Sequence, residues 1–253
     1  MDEPKNAASA RRTIGIRGTV IRPAGDIKAT LARCVLFRSL PPAALALLVD
    51  RAKALNVRRG ARIYDAGQRC PGVFIVVTGR VMLSVGAGAP DSKVIDLTGP
   101  GGHFGLAAAI LDATQNVAAD ALVDSLLVMV PRAALLECAG EHPQLGLQVA
   151  TALSRGIVNL TEDIEAYSLH SGRQRVANYL LRIAAANAAR AHPFALPAKK
   201  SIIASRLGLT PEYFSRMLHD LIVTGAILVE GRQITILDPA LLRGGTAAAS
   251  IAA

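Results

Sequence analysis

The side chains best suited to recognition chemistry lie in one short segment, PEYFSRMLHDL, at residues 211–221. Glu212, Ser215, Arg216 and His219 are spaced so that a helix presents them on one polar face, opposite an apolar one. A glutamate can accept a hydrogen bond from the amino group of cytosine, an arginine can donate two to guanine, and a serine can bind several base edges. This face therefore favours the reading of base pairs in DNA. The alternative is an ordinary surface helix with an ion pair between Glu212 and Arg216.

A helix-turn-helix is the element that would position this face. The pattern predicts a first helix from Ser201 to Leu207 and a turn at Gly208, which can adopt a positive φ. Thr210 is a suitable N-cap for the second helix, and Pro211 fits its first position, where no backbone N–H is needed. Small Ala204 would let the two helices cross closely. The predicted buried side chains of the second helix are Phe214, Met217, Leu218 and Leu221.

A β-hairpin is predicted directly after the second helix, at residues 226–237, with its turn at Glu230-Gly231. A helix-turn-helix followed by such a wing is typical of a winged-helix DNA-binding domain. We expect base contacts from Glu212, Ser215 and Arg216. We expect phosphate contacts from the polar and basic side chains around them, which are Lys199, Lys200, Arg206, Thr210, His219 and Arg232.

The distribution of charge supports a polyanion-binding segment at this end of the chain. The sequence has 28 Lys and Arg against 19 Asp and Glu, a formal net charge of +9. Residues 171–243 carry ten basic and four acidic side chains, and residues 1–30 carry six and three, whereas residues 31–170 carry twelve of each. A neutral middle with a basic end is typical of a sensing or packing module joined to a nucleic-acid binder.

Composition excludes several other classes of protein. Apolar residues make up 51% of the chain and charged residues 19%, so the chain is not disordered throughout. No apolar run reaches the roughly 18 residues that a membrane span needs, and the N-terminal residues lack the apolar core of a secretory signal, so we expect a cytoplasmic protein with no membrane partner. The widely spaced Cys34, Cys70 and Cys138 do not support a disulfide framework.

The middle of the chain predicts a small antiparallel β-roll or barrel at residues 57–130, because short β-rich runs alternate there with glycine turns. A brief helix is predicted at 105–112, and a helical pattern precedes the roll from Leu31 to about Asn56. The clearest strand signals are VFIVV at 73–77, RVMLSV at 80–85 and SLLVMV at 125–130.

A long helix is predicted at 143–170, followed by a helix at 172–190 and a proline-containing break at 192–197. Apolar residues of the long helix repeat at alternating spacings of three and four, which is typical of a helix that pairs with another helix. An ordinary amphipathic helix packed on its own core would show the same stripe. The expected dimer interface consists of Ala150, Leu153, Ile157, Leu160, Ile164 and Tyr167.

These elements together predict an α+β fold, with an N-terminal antiparallel β-roll, a long dimerisation helix and a C-terminal winged helix-turn-helix. The predicted divisions are a flexible basic tail at 1–30, a β-roll sensor domain at 31–140, a dimerisation helix at 141–170, a DNA-binding domain at 171–243 and a tail at 244–253.

This order of parts resembles the CRP/FNR family of bacterial transcription regulators, in which a cyclic-nucleotide-binding β-roll leads through a long dimer helix into a winged helix. The resemblance covers residues 31–243, and E-x-x-S-R at 212–216 is similar to the FNR-type recognition helix. It implies that Glu212, Ser215 and Arg216 read the half-site TTGAT in a palindrome TTGAT-N4-ATCAA. It also implies a homodimer as the DNA-binding unit and RNA polymerase as a further partner.

The phosphate-binding cassette of the predicted effector pocket departs from the family pattern. Where the family has Gly-Glu and Arg-Ser/Thr-Ala, this chain has Gly105-Leu106 and Asn116-Val117-Ala118. Leu106 cannot hold a ribose hydroxyl and Asn116 cannot neutralise a phosphate, so we do not expect cyclic AMP to bind in the family manner. An FNR-type iron–sulfur cluster needs four cysteine ligands, and the chain has 3 cysteines, so this cluster is not expected either.

The resemblance leaves haem as a cofactor to consider, with His103, beside the cassette, as the best axial ligand. The cofactor otherwise stays unknown. The sequence has no G-x-S-x-G, H-E-x-x-H or P-loop motif, so we expect no enzymatic activity. Two alternatives stay open: a haem or small-ligand sensor module whose DNA binding is non-specific, and a regulator with no effector.

Overall fold

The computed structural model describes residues 19–21, 27–88, 92–187 and 193–244 of the chain. Its N-terminal part contains two antiparallel sheets with short helices before, between and after the strands. In chain order the elements are β1 Thr19–Ile21, α1 Ile27–Arg33, α2 Pro42–Arg51, β2 Lys53–Val57, β3 Arg62–Tyr64, β4 Gly72–Thr78, β5 Val81–Val85, β6 Lys93–Thr98, β7 His103–Phe104, α3 Leu106–Leu111, β8 Ala118–Ala121, β9 Ser125–Pro131 and α4 Arg132–Glu141.

The two sheets form the predicted β-roll. One has the strand order β1-β2-β9-β4-β7 and the other has the order β3-β8-β5-β6, with all neighbours antiparallel. Three aromatic rings pack in one apolar cluster of the roll. The rings of Phe74 and Phe104 stack with their centroids 5.0 Å apart, and the ring of Tyr64 lies 5.6 Å from that of Phe74.

Strand β4 is apolar at successive positions because both of its faces are covered. Val73 and Ile75 belong to the apolar cluster that includes side chains of helices α1, α2 and α4. Phe74 and Val76 point to the opposite face and pack with the aromatic rings of the other cluster. The continuous run VFIVV thus reflects burial on two sides rather than a helical segment.

The C-terminal part begins with one long helix and ends in a winged helix-turn-helix, as the sequence predicts. Its elements are α5 Pro143–Leu169, α6 Gly172–Asn187, β10 Phe194–Ala195, α7 Lys200–Arg206, α8 Pro211–Val223, β11 Ile227–Glu230, β12 Gln233–Ile236 and α9 Pro239–Gly244. The wing is a sheet of order β10-β12-β11. An apolar cluster that includes Val176 of α6, Phe214 of α8 and Ile234 of β12 holds this domain together. No helix in the described ranges combines the length and apolar character needed to cross a bilayer.

The structure differs from the sequence prediction in three segments. The helix expected to reach Asn56 ends at Arg51, and residues 53–57 form β2, which pairs with β9 along its whole length. The predicted break at 192–197 contains β10, in which Phe194 pairs with Ile234. Within the predicted tail at 1–30, strand β1 pairs with β2. In each case a pairing distant in sequence decides the local structure. Residues 1–18 and 245–253 of the two predicted tails lie outside the described residues.

Candidate DNA-binding site

Helix α8, the second helix of the helix-turn-helix, begins where the sequence predicts. Gly208 adopts a left-handed φ of 64° in the turn before it. The Thr210 hydroxyl oxygen accepts a hydrogen bond from the backbone N–H of Tyr213 at 3.2 Å, and Pro211 occupies the first helical position. This cap satisfies one of the free N–H groups at the helix start and sets which side chains face outward.

The predicted recognition face lies on the surface of the domain. Glu212, Ser215, Arg216 and His219 are all exposed. The opposite face of α8 is buried in the domain core through Phe214, Met217, Leu218 and Leu221. The structure therefore brings together on one exposed helix face the side chains that the sequence assigns to base contacts.

Arg216 is oriented by an aromatic ring rather than by a carboxylate. Its guanidinium carbon lies 4.9 Å from the ring centroid of Tyr213, in range for a cation–π contact. The ion pairs among the described residues do not include one between Glu212 and Arg216, so the alternative of a paired surface helix is not realised. Tyr213 in turn lies close to the start of α6, where a Cβ added to Gly172 would be 2.4 Å from the Tyr213 Cε1 atom.

Five of the six predicted phosphate contacts are on the surface of the DNA-binding domain. Lys199 and Lys200 are exposed at the start of α7, Thr210 and His219 are exposed on α8 and its cap, and Arg232 is exposed on the wing. The Arg232 guanidinium donates a hydrogen bond to the carbonyl oxygen of Leu196 at 3.3 Å, which ties the wing turn to the strand region of β10.

Arg206 differs from the sequence prediction, which placed it on the DNA backbone. It is 9% exposed, and its guanidinium donates to the carboxylate of Asp163 in α5 at 2.6 Å. Burial lowers its pKa, but the hydrogen bond and the charge of Asp163 more than compensate and the pKa is raised overall. A guanidinium held in this way is not available to a phosphate in this arrangement of the domains.

Of the predicted dimer-interface residues of α5, some are exposed and others pack within the chain. Leu153 packs against the core of the roll, and the Tyr167 hydroxyl donates a hydrogen bond to the carbonyl oxygen of Arg206. Both side chains therefore have partners within the chain, as expected for an ordinary amphipathic helix that packs on its own core. The other predicted interface residues are exposed, and these are Ala150, Ile157, Leu160 and Ile164.

A direct link joins the roll to the helix-turn-helix, and the sequence gives no local signal for it. The backbone N–H of Val94 in β6 donates a hydrogen bond to the Ser205 hydroxyl in α7 at 3.1 Å. The ammonium of Lys93 lies 4.0 Å from the ring centroid of Tyr167. The two bonded residues are 111 positions apart in the sequence, so only the tertiary structure brings them together.

The cassette position of the roll is tightly packed around Gly105. This residue adopts a φ of 79° just before α3, and an added Cβ would lie 3.2 Å from both the Gln115 amide nitrogen and the Gly72 carbonyl oxygen. The Gln115 amide also donates to the Cys70 sulfur at 2.8 Å. Only glycine fits this conformation and space without strain.

The side chains at the cassette do not fit a cyclic nucleotide. Leu106 is 5% exposed and belongs to the apolar cluster under the sheet, while Asn116 is exposed and Val117 half-buried. The guanidinium of Arg62 in β3 is already paired with Asp120 and also with Asp65. No carboxylate at Leu106 or guanidinium at Asn116 is present for a ribose or a cyclic phosphate.

The candidate sensor residues of the roll have the character of packed side chains. Burial lowers the pKa of His103, with Asp96 acting in the opposite direction. The ring of the next residue, Phe104, stacks on Phe74 inside the roll. All three cysteines are buried, and burial raises the pKa of each thiol, which disfavours the reactive thiolate. Within the described ranges, no group of His, Cys, Asp and Glu side chains is arranged to hold a metal ion.

Both parts of the chain match models of known protein domains. The model of the cyclic nucleotide-binding domain matches residues 54–142, and that of the Crp-like helix-turn-helix domain matches residues 174–244. A CRP-like cAMP-activated global transcriptional regulator from Mycobacterium tuberculosis is 24% identical over 213 residues, which cover 82% of this chain and 94% of the relative. An anaerobic regulatory protein from Pasteurella multocida is 26% identical over 194 residues, which cover 76% of this chain and 70% of the relative.

A solved structure, FixK2 from Bradyrhizobium japonicum, is similar over 79% of this chain and 99% of its own, with a TM-score of 0.70 and 25% identity. The two matched domains follow each other in the order that the β-roll, the long helix and the winged helix-turn-helix show in the structure. The chain belongs to the CRP/FNR family of DNA-binding transcription regulators.

Proposed function

We propose that the chain acts as a homodimer that binds a palindrome of the type TTGAT-N4-ATCAA. The observation that carries this proposal is the exposed polar face of α8, on which Glu212, Ser215 and Arg216 lie together above a buried apolar face. These side chains match the E-x-x-S-R pattern of the FNR-type recognition helix, and each has donors or acceptors suited to base edges in the major groove.

A second copy of the chain is the partner that fits α5. This helix is 27 residues long and exposes large apolar side chains at helical spacing, among them Leu147 at 66%, Ile157 at 65% and Ile164 at 65%. Apolar side chains at such spacing favour pairing with another helix. Pairing two α5 helices gives the two-fold symmetry that a palindrome requires and presents two α8 helices to successive major grooves.

Control of DNA binding passes through the contact between β6 and α7. A signal that moves β6 changes the hydrogen bond between Val94 and Ser205, and thereby the position of the helix-turn-helix. The cassette side chains do not favour cyclic AMP in the family manner, and the 3 cysteines of the chain do not supply the four ligands of an FNR-type iron–sulfur cluster. In this proposal the protein acts in the cytoplasm, together with RNA polymerase.

Fluorescence anisotropy tests the sequence specificity. The purified protein is titrated onto a TTGAT-N4-ATCAA duplex and onto a scrambled duplex at near-physiological salt. Arg216→Ala is expected to lose roughly 1–3 kcal/mol of discrimination at one base pair and to keep non-specific binding. Lys200→Ala is the matched control: it should weaken binding to both duplexes alike and reduce the salt dependence.

Two outcomes would contradict the proposal. If Arg216→Ala weakens binding to both duplexes equally, Arg216 is a phosphate contact and the base assignment is wrong. If the wild type, with or without added small molecules, never distinguishes the duplexes, the protein is a ligand-binding module with non-specific DNA binding. Sedimentation equilibrium of the wild type and of Ile157→Glu tests the dimer, because a charge on the exposed face of α5 should shift the protein towards a monomer.

A further inference from the structure

A cavity of about 580 Å³ lies where the roll meets the DNA-binding domain. The roll contributes Arg80 and residues 95–97 of β6. Helix α5 contributes Asp163, and the DNA-binding domain contributes Arg182 and Arg206. Its volume is within the range of about 300–1,000 Å³ that is usual for pockets holding small molecules. The cavity is separate from the recognition face of α8 and includes neither Gly105 nor Asn116 of the cassette.

The positive charges of this cavity exceed its negative charges. Three guanidinium groups, those of Arg80, Arg182 and Arg206, line it together with two carboxylates. Asp163 binds Arg206 at 2.6 Å, and Asp96 accepts a hydrogen bond from the Thr98 hydroxyl at 3.0 Å. The remaining guanidinium groups, those of Arg80 and Arg182, take part in none of the ion pairs found in the described part of the chain. Two guanidinium groups that line one cavity and take part in no ion pair are suited to bind an anion.

The position of Arg80 strengthens this interpretation. Its guanidinium lies against the backbone of Gly99, where an added Cβ would be 3.4 Å from the Arg80 Cζ atom. Burial lowers the pKa of Arg80; the Tyr179 hydroxyl opposes this effect, and the charge of Arg232 adds to it. The group is therefore half-buried, close to a second guanidinium, and outside the ion pairs found among the described residues.

Tyr179 lines the cavity, and three arginines of the cavity affect its pKa. Burial raises the pKa of Tyr179 to about 12, although Arg182, Arg206 and Arg80 all act to lower it. The Tyr179 phenol, 7% exposed, also lines the cavity and adds a hydrogen-bond donor. Apolar side chains complete the walls and are suited to the organic part of a ligand. They include Ile95, Leu97, Leu160 and Pro197.

We propose that this cavity binds a small organic oxyanion, whose phosphate or carboxylate group is held by Arg80 and Arg182 and whose organic part lies against Tyr179. Arg80 belongs to the roll and Arg182 to α6 of the DNA-binding domain, so the ligand bridges the two domains. The effect of this ligand on DNA binding rests on the proposed function, whereas the binding of the ligand to the cavity does not. The site is therefore tested in the absence of DNA.

Ligand-observed NMR and thermal unfolding of the full chain test the site with simple probes. Phenyl phosphate, benzoate and inorganic phosphate are added at millimolar concentration and matched ionic strength. We expect phenyl phosphate or benzoate to bind and to raise the Tm, and the difference between them identifies the preferred oxyanion. Arg182→Gln and Arg80→Gln should each weaken binding by roughly tenfold or more, the usual effect of losing a hydrogen bond to a charged group.

Two control variants separate this site from general attraction to a basic protein. Arg38→Gln removes one exposed arginine of the roll outside the cavity, and Lys200→Gln removes one lysine of the DNA face. Both should bind the probes like the wild type. The proposal is overturned if neither aromatic probe binds, or if Lys200→Gln loses binding while Arg182→Gln retains it. Because Arg182 is exposed, its variant keeps the fold even where Arg80→Gln is destabilised.

Discussion

The ion pair between Asp163 and Arg206 should be the charge interaction on which the joint between α5 and the DNA-binding domain depends most. The two side chains are only 18% and 11% exposed and are 2.6 Å apart. In Asp163→Asn the guanidinium stays buried but loses its counter-charge, and it keeps its hydrogen bond to the Tyr167 hydroxyl at 3.2 Å. Breaking a fully buried pair costs about 3–5 kcal/mol and breaking an exposed one under about 1 kcal/mol. For this intermediate exposure we expect a loss of about 2 kcal/mol in the free energy of unfolding.

Urea unfolding followed by circular dichroism measures this loss, since urea, unlike guanidinium, does not screen charges. The wild type, Asp163→Asn, Arg206→Leu and the double variant form a cycle. We expect the double variant to lose at least about 1 kcal/mol less than the sum of the single losses, because Arg206→Leu removes the charge that Asp163→Asn leaves unpaired. Arg69→Gln is the control: its pair with Asp112 is 73% and 42% exposed, and its removal should cost under about 0.5 kcal/mol. Additive losses, or a loss no larger than that of the control, would refute the reasoning.

Three further predictions concern single positions. Thr210→Ala removes the N-cap of α8 and should lower the stability of the DNA-binding domain by about 1 kcal/mol in thermal unfolding, whereas Thr210→Ser should restore it. Burial lowers the pKa of His103 in the folded state, so stability should fall as the pH drops below the unfolded value of about 6.5, and His103→Gln should flatten the profile there. Gly79→Ala, at a φ of 94° with its Cβ 2.7 Å from the Ser125 Cα atom, should cost more than about 2 kcal/mol by denaturant titration; Gly88→Ala, in open space, should cost only its backbone strain of about 1 kcal/mol.

The parts of the fold that the sequence predicts correctly are those determined by neighbours along the chain. Gly208, Thr210 and Pro211 each act within four residues of the helix start that they define, and the structure has α8 begin there. The hairpin of β11 and β12 forms around Gly231, whose φ is 63°. Local geometry of this kind needs no knowledge of the rest of the molecule.

The features that the sequence does not predict all depend on distant partners. Strand β10 exists because Phe194 pairs with Ile234, and residues 53–57 form a strand because β9 lies beside them. The sequence predicts a phosphate contact at Arg206, but the partner that holds this side chain, Asp163, lies 43 positions before it in the sequence. A stripe of apolar residues likewise cannot show which members pack within the chain, as Leu153 does, and which stay exposed.

The charges of this chain point to control at the joint between the domains rather than inside the roll. Leu106 and Asn116 leave the cassette without the groups that hold a cyclic nucleotide, while Arg80 and Arg182 lie unpaired in the cavity between roll and DNA-binding domain. Half-burying the Arg80 guanidinium without an ion pair costs free energy, and an anion that binds both arginines offsets this cost only while the two domains stay in this arrangement. A ligand at the joint therefore acts directly on the domain positions, because its differential affinity for one arrangement is the only free energy it can supply.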